Sequence, residues 1–250
     1  MPKPSTRETS VLAAAVAVLL GACSHVPAPP APVRQPVEIK DNTTIGSARL
    51  SWHDATETTR AGAFTPGLEI EYDRGIGQSS QHLGANEFIQ LDGKTQFGQQ
   101  DVRHHADLKY GHLAIDVIWR FPVRAPRLEL EWVAGLGQAQ LGLRSDSGSL
   151  AVDPLVAKYS LSGVVLGVGP RWNFTDTLAV EARAQVLSSS PSSDDRFWYR
   201  EIAVRYRPVK NVAVRMGYSE MDYRPANLSD GDSPVHVRMY GPFLGLDFPF

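Results

Sequence analysis

A chain of 250 residues with a formal net charge of -2 has no basic or acidic excess to steer it toward nucleic acid. Its single cysteine, Cys23, excludes a disulfide within the chain. The length suits one large domain or two small ones, and only the order of residues says which.

The first segment carries Lys3 and Arg7, then an apolar run from Val11 to Leu20. That run is too short to span a bilayer but has the length of a secretory h-region, with the small residues Gly21 and Ala22 closing it. Residues 1–22 are therefore expected to be removed and are set aside from the fold. The stretch LLGAC resembles the bacterial lipobox, which implies cleavage before Cys23 and a lipid anchor on that residue. Acyl chains contribute about 0.8 kcal/mol per buried methylene, so several of them hold a protein firmly on a membrane. Ser24 follows the cysteine, at the position where an aspartate marks inner-membrane retention in the lipoprotein family. The resemblance thus implies the outer membrane.

Residues 23–40 read as a tether, because Pro27, Pro29, Pro30, Pro32 and Pro36 remove backbone donors and favour polyproline II. Residues 41–65 are ambiguous: Leu50 and Trp52 alternate with Arg49, Ser51 and His53, which fits an extra strand or a periplasmic segment equally.

From residue 66 to 250 the pattern is strand alternation. Leu68, Ile70 and Tyr72 oppose Glu69, Glu71 and Asp73; Leu113, Ile115, Val117 and Trp119 oppose His112, Asp116 and Arg120. Leu128, Leu130 and Trp132 oppose Glu129 and Glu131, and Val164, Leu166, Val168 and Trp172 oppose glycines and Arg171. Further on, Val180 and Ala182 oppose Glu181 and Arg183, while Ile202 and Val204 oppose Glu201 and Arg205. Val214 and Met216 oppose Arg215, and Leu244, Leu246 and Phe248 oppose Asp247. These segments reach the ~9 to 11 residues that cross a bilayer at a tilt.

Connections alternate between short ones, such as NFTDT and RPVKN, and longer ones at 144–156, 188–196 and 224–234. Trp119, Phe121, Trp172, Tyr206 and Phe250 fall at the short-turn end, where a periplasmic aromatic girdle would lie. The expected fold is all-β: an antiparallel transmembrane β-barrel of about eight strands, with ten possible.

The ending GPFLGLDFPF, with Phe248 and Phe250 in phase, resembles the C-terminal signal by which outer-membrane barrels are recognised for assembly. Together with the alternation, residues 66–250 resemble the small bacterial outer-membrane barrel superfamily of OmpA, OmpX and PagL-like proteins. Pro170 and Pro242 depart from a closed ladder's usual composition.

The face opposite the apolar one collects Glu69, Glu71, Asp116, Glu129, Glu131, Glu181, Glu201 and Asp247 with Arg120, Arg171, Arg183, Arg205 and Arg215. In a narrow barrel such charges must pair and fill the lumen. Catalytic constellations are thin. His104, His105, Asp107 and His112 read as the solvated base of a loop, and Ser188, Ser189, Ser190, Asp194 and Asp195 as an outer loop, with no motif joining a nucleophile to a base. The PagL-like deacylase pattern His-x-Ser-Asn is not found. No cofactor or metal is expected, and no nucleic acid. The expected partners are outer-membrane lipids and the lipoprotein-processing and barrel-assembly machinery, with a structural or surface-interaction role. An enzyme acting on lipid A or surface polysaccharide, or a narrow channel, is the alternative.

Overall fold

A computed structural model gives the fold and describes residues 30–53, 62–122, 127–147, 153–190, 195–226, 228 and 231–249. Residues 1–22, where a signal peptide is expected, Cys23 and Phe250 lie outside the described residues. All regular structure described is β. The short strands β1 (Val33–Arg34), β2 (Val37–Asn42) and β3 (Ile45–His53) precede β4 (Phe64–Leu83), the hairpin β5 (Glu87–Leu91) and β6 (Lys94–Phe97), and β7 (Gln100–Arg120). There follow β8 (Arg127–Asp146), β9 (Leu155–Asn173), β10 (Leu178–Ser188), β11 (Arg196–Val209), β12 (Val212–Arg224) and β13 (Val235–Pro249).

Ten of these strands form one sheet closed on itself. Neighbours from β3 through β4 and from β7 through β13 pair antiparallel, whereas β13 meets β2 and then β3 in parallel. Because β2 and β3 follow one another along the same edge of β13, the ring has nine lanes. An odd number of alternating lanes makes the first and last run the same way, hence the parallel closure. The sequence pattern favoured eight. The extra lane comes from residues 37–53, whose inward face mixes Val37, Ile39 and Ile45 with Ser47, Arg49 and Ser51 and so shows no uniform period. One consequence is positional: the chain enters the ring at Val37 from the end of the long connections, and β13 leaves at the end of the short ones.

Along β7 the inward residues change character while the period of two persists. Val102, Ala106, Leu108 and Tyr110 are buried with His104 at the long-connection end, and below them the charged or ionisable His112, Asp116 and Arg120 share the inward face with Ala114 and Ile118. The outward face does the reverse, from Asp101, Arg103, His105, Asp107 and Lys109 to Leu113, Ile115, Val117 and Trp119. β9 repeats this: Lys158, Ser160 and Ser162 give way outside to Val164, Leu166 and Trp172, while Ala157, Leu161 and Val165 inside give way to Arg171. The long-connection half is therefore built like a water-soluble barrel and the short-connection half is inverted. At the top, Ile89 and Leu91 of the β5–β6 hairpin are fully buried. Its turn holds Asp92 at φ 49 and Gly93 at φ 71, the left-handed pair that suits a two-residue hairpin. Both turn N–H groups donate to the buried Asp232 carboxylate at 3.1 Å.

Both prolines fit because each meets a gap. The β9–β10 pairing skips from Arg171 to Val168, beside Pro170. Pro242 faces the break between β2 and β3, since β13 pairs β2 through Tyr240 and β3 from Phe243. Aromatic rings border the outward apolar band on both sides. Trp52, Phe64, Trp132, Trp172, Phe174 and Tyr206 stand at the short-connection end, with Phe64 stacked on Trp119 at 5.8 Å. Tyr72, Trp198, Tyr218 and Tyr240 stand at the other border.

Candidate functional site: the interior charge network

Alternation on separate lanes brings the inward acids and bases together at one level. Arg183 of β10 donates to Glu69 and Glu71 of β4 and to Glu131 of β8. Arg215 of β12 donates from Nη1 to both oxygens of Glu201 at 2.9 Å, and from Nη2 to Glu71 at 3.2 Å. Arg171 of β9 donates from Nε to Glu181 at 2.9 Å and approaches Glu129 and Glu131. Nearer the short-connection end, Arg120 holds Glu129 at 2.8 Å and Arg205 holds Asp247 at 2.8 Å.

Every charged interior residue picked out in the sequence thus lies on the inner wall, in one connected network or beside it. Sequence reading missed the residue that ties the network together. Arg49 of β3, 2% exposed, donates to Glu71 at 2.7 Å and Glu201 at 2.8 Å and lies 3.5 Å from Glu69 and Glu181. Its signal was available, since it alternates with Leu50 and Trp52, but it sits in the segment whose strand character was ambiguous. Also missed were Asp73, His112 as a partner of Glu69 at 3.1 Å, and Tyr199, which donates to Glu201 at 2.7 Å.

Ligating atoms of Glu69, Glu71 and His112, and of Glu69, Asp116 and Glu131, lie close enough together to bind a cation. Arg183 already bonds Glu69, Glu71 and Glu131, so a guanidinium supplies the positive charge there. Such buried ions are tolerable only when paired and hydrogen-bonded; the Arg183–Glu69 and Arg215–Glu201 contacts meet that demand, while Glu181 Oε1, Arg215 Nε and His112 Nδ1 are buried without a hydrogen-bond partner among the described residues. What it does chemically is fill the lumen of the short-connection half with fixed ion pairs in which carboxylates outnumber arginines.

The histidine run was expected in a solvated loop and is instead part of β7. Alternation sends His104 and His112 inward and His105 and Asp107 outward, so the four do not converge. His104 lies with Nδ1 2.7 Å from Ser145 Oγ and Nε2 3.2 Å from Gln81 Oε1. Burial, with His105 adding repulsion, pushes its imidazole down to about 4. Both His104 and Ser145 are fully buried, which makes them a core hydrogen-bond pair and not a nucleophile open to substrate. Ser188 and Ser189 sit at the end of β10, where Ser188 Oγ donates to the Ser190 carbonyl; Asp195 is buried, and Asp194 lies outside the described residues.

No protein-family model, curated protein or solved structure matches the chain.

Proposed function

We propose that the chain is an outer-membrane β-barrel lipoprotein with a structural or surface-interaction role. In this reading the short-connection half crosses the bilayer, and the long-connection half projects from the surface as a plugged, water-soluble barrel. The single observation that carries it is the mid-strand inversion of polarity. Leu113 and Ile115 are each 57% exposed, while Asp116 and Arg215 on the same barrel are fully buried. Water alone gives no reason for that arrangement, and hydrocarbon does. From Phe64 to Tyr72 the apolar stretch of β4 runs about 27 Å along the strand, or roughly 20 Å along the membrane normal at a 40° tilt. Aromatic residues at both borders suit the two interfaces.

The lipobox-like LLGAC and the in-phase pair Phe248 and Phe250 support the choice of outer membrane, with the short connections inside the envelope and the long ones outside. The filled lumen and the buried β5–β6 hairpin favour a scaffold over a channel, and the scattered histidines favour it over a hydrolase. Cysteines placed singly at outward positions of β9 test the reading in lipid vesicles. Positions 158, 160 and 162 should react with a water-soluble maleimide, and 164, 166 and 168 should be shielded. Uniform labelling would return the chain to the soluble barrels. A steady unitary conductance in planar bilayers would replace the scaffold with the channel.

A further inference from the structure

Where the inversion crosses β4, β7 and β8, three outward rows lie in register. The upper row is Arg74, Lys109 and Gln140; the lower is Ile70, Leu113 and Leu136. Between them run Tyr72, Gly111 and Gln138. Gly111 has no side chain at the centre of this grid. The result is a groove of about 500 Å³ on the outer wall, floored by Gly111 and walled by Tyr72 on one side and Leu136 and Gln138 on the other.

The upper rim is cationic. Arg74 grips both oxygens of Asp107 at 2.9 and 3.0 Å, and Lys109 Nζ stands 3.4 Å from the same carboxylate. Two cations on one acid leave a net positive charge. Beside it Gln140 donates to Gln138 at 3.0 Å, so an amide pair adds further polar atoms at the same level. The lower rim is continuous with the apolar band, since Leu113 and Leu136 are 57% and 68% exposed.

Resting on the membrane reading above, we propose that this groove is a specific site for one acyl lipid with an anionic phosphate headgroup. The chain lies over Gly111 between Tyr72 and Leu136, and the phosphate meets Lys109 with Gln138 and Gln140. A concavity at the interface with charge above and hydrocarbon below matches an amphiphile oriented along the membrane normal, and not a soluble anion, which would gain nothing from the apolar half. Lysine is suited to phosphate as a point charge.

Two variants separate the two parts. Gly111→Val fills the floor; its Cβ would meet the Glu71 carbonyl oxygen at 3.4 Å and a Tyr72 ring carbon at 3.6 Å, ordinary contacts for that atom, and valine is favoured in strands. Lys109→Gln removes the charge from an exposed position. The protein is placed in vesicles of phosphatidylcholine alone or mixed with phosphatidylglycerol, extracted into mild detergent, and weighed by native mass spectrometry. Wild type should carry one phosphatidylglycerol in preference to phosphatidylcholine. Each variant should bind it about ten-fold less, equivalent to 1.4 kcal/mol, while keeping the wild-type β-sheet circular dichroism. An adduct unchanged by Gly111→Val, or equal retention of both lipids, would overturn the proposal. So would full displacement by glycerol phosphate, which has the headgroup without a chain. Failure of the chain to partition into vesicles at all would remove the membrane reading itself, and is seen before any lipid is counted.

Discussion

Arg183 on β10 and Glu69 on β4 face each other across the barrel and are joined by two parallel hydrogen bonds, Nη1 to Oε1 at 2.5 Å and Nη2 to Oε2 at 2.9 Å. These strands are not neighbours in the sheet, so the pair braces opposite walls in a way no backbone ladder does.

Cutting that brace should be costly. Arg183→Met leaves Glu69, Glu71 and Glu131 with too little positive charge among buried groups, and a broken buried pair costs about 3–5 kcal/mol. Pairing the change with Glu69→Gln lowers the surplus of negative charge and should recover part of the loss. Reversible guanidinium unfolding in lipid vesicles measures both. A single variant within about 0.5 kcal/mol of wild type, the size of an ordinary surface substitution, would mean that the interior is hydrated enough to make the brace irrelevant.

The inversion makes one substitution behave differently along one strand. If the short-connection half crosses a bilayer as proposed, Leu166→Arg on its outward face should cost roughly 2–4 kcal/mol, whereas Ser160→Arg six residues higher should be close to neutral. Inside the barrel the order reverses. Leu161→Arg buries an unpaired charge in the apolar upper core and should be the most damaging of the three. Equal effects at 160 and 166 would mean that both positions face water.

Much of this organisation is legible in the alternation itself, because a strand's period of two survives any change of environment. The inward set from Glu69 to Asp247 follows from parity once the lower outward face is apolar. Arg49 did not follow, because strand pairing and not composition decides whether residues 37–53 join the ring. The apolar upper core is subtler. In β7 the outward face turns from polar to apolar near Tyr110 while the inward face takes up His112, Asp116 and Arg120 among Ala114 and Ile118, with no change of phase, and a reading that assigns one face to one environment for a whole strand overlooks it. The hairpin's buried seat and the clamp by Asp232 depend on contacts between distant segments, here residues 92 and 232, that no local pattern encodes.

Parallel closure of the ring gives a test at the N-terminus. The chain enters at the long-connection end, and ten residue steps separate Cys23 from Val33, a reach of at most about 36 Å. A fatty-acid analogue should label wild type and not Cys23→Ser. An epitope inserted just before Val33 should be reached by antibody on intact cells together with one in the 224–234 connection. Equal labelling of Cys23→Ser would end the lipoprotein reading. An epitope before Val33 hidden while the other is exposed would contradict the nine-lane closure.

His104 supplies a pH signature of the upper core. Free histidine titrates near 6.5, and burial in the fold brings His104 down to about 4. Between those values the unfolded chain binds a proton that the folded barrel refuses, so stability falls as the pH drops from about 6.5 toward 4 and is unaffected above that window. At about 1.36 kcal/mol per pH unit the ceiling is about 3 kcal/mol, less if the upper barrel admits water as it destabilises. His104→Gln keeps a polar group beside Ser145 and Gln81 but cannot titrate. Its unfolding free energy, measured at pH 7 and again at pH 4.5, should fall by less than that of wild type. The difference between the two proteins isolates this one group, since every other side chain is common to both. Parallel pH profiles for wild type and His104→Gln would show that the imidazole charges without penalty, and that the long-connection half lacks a dry core.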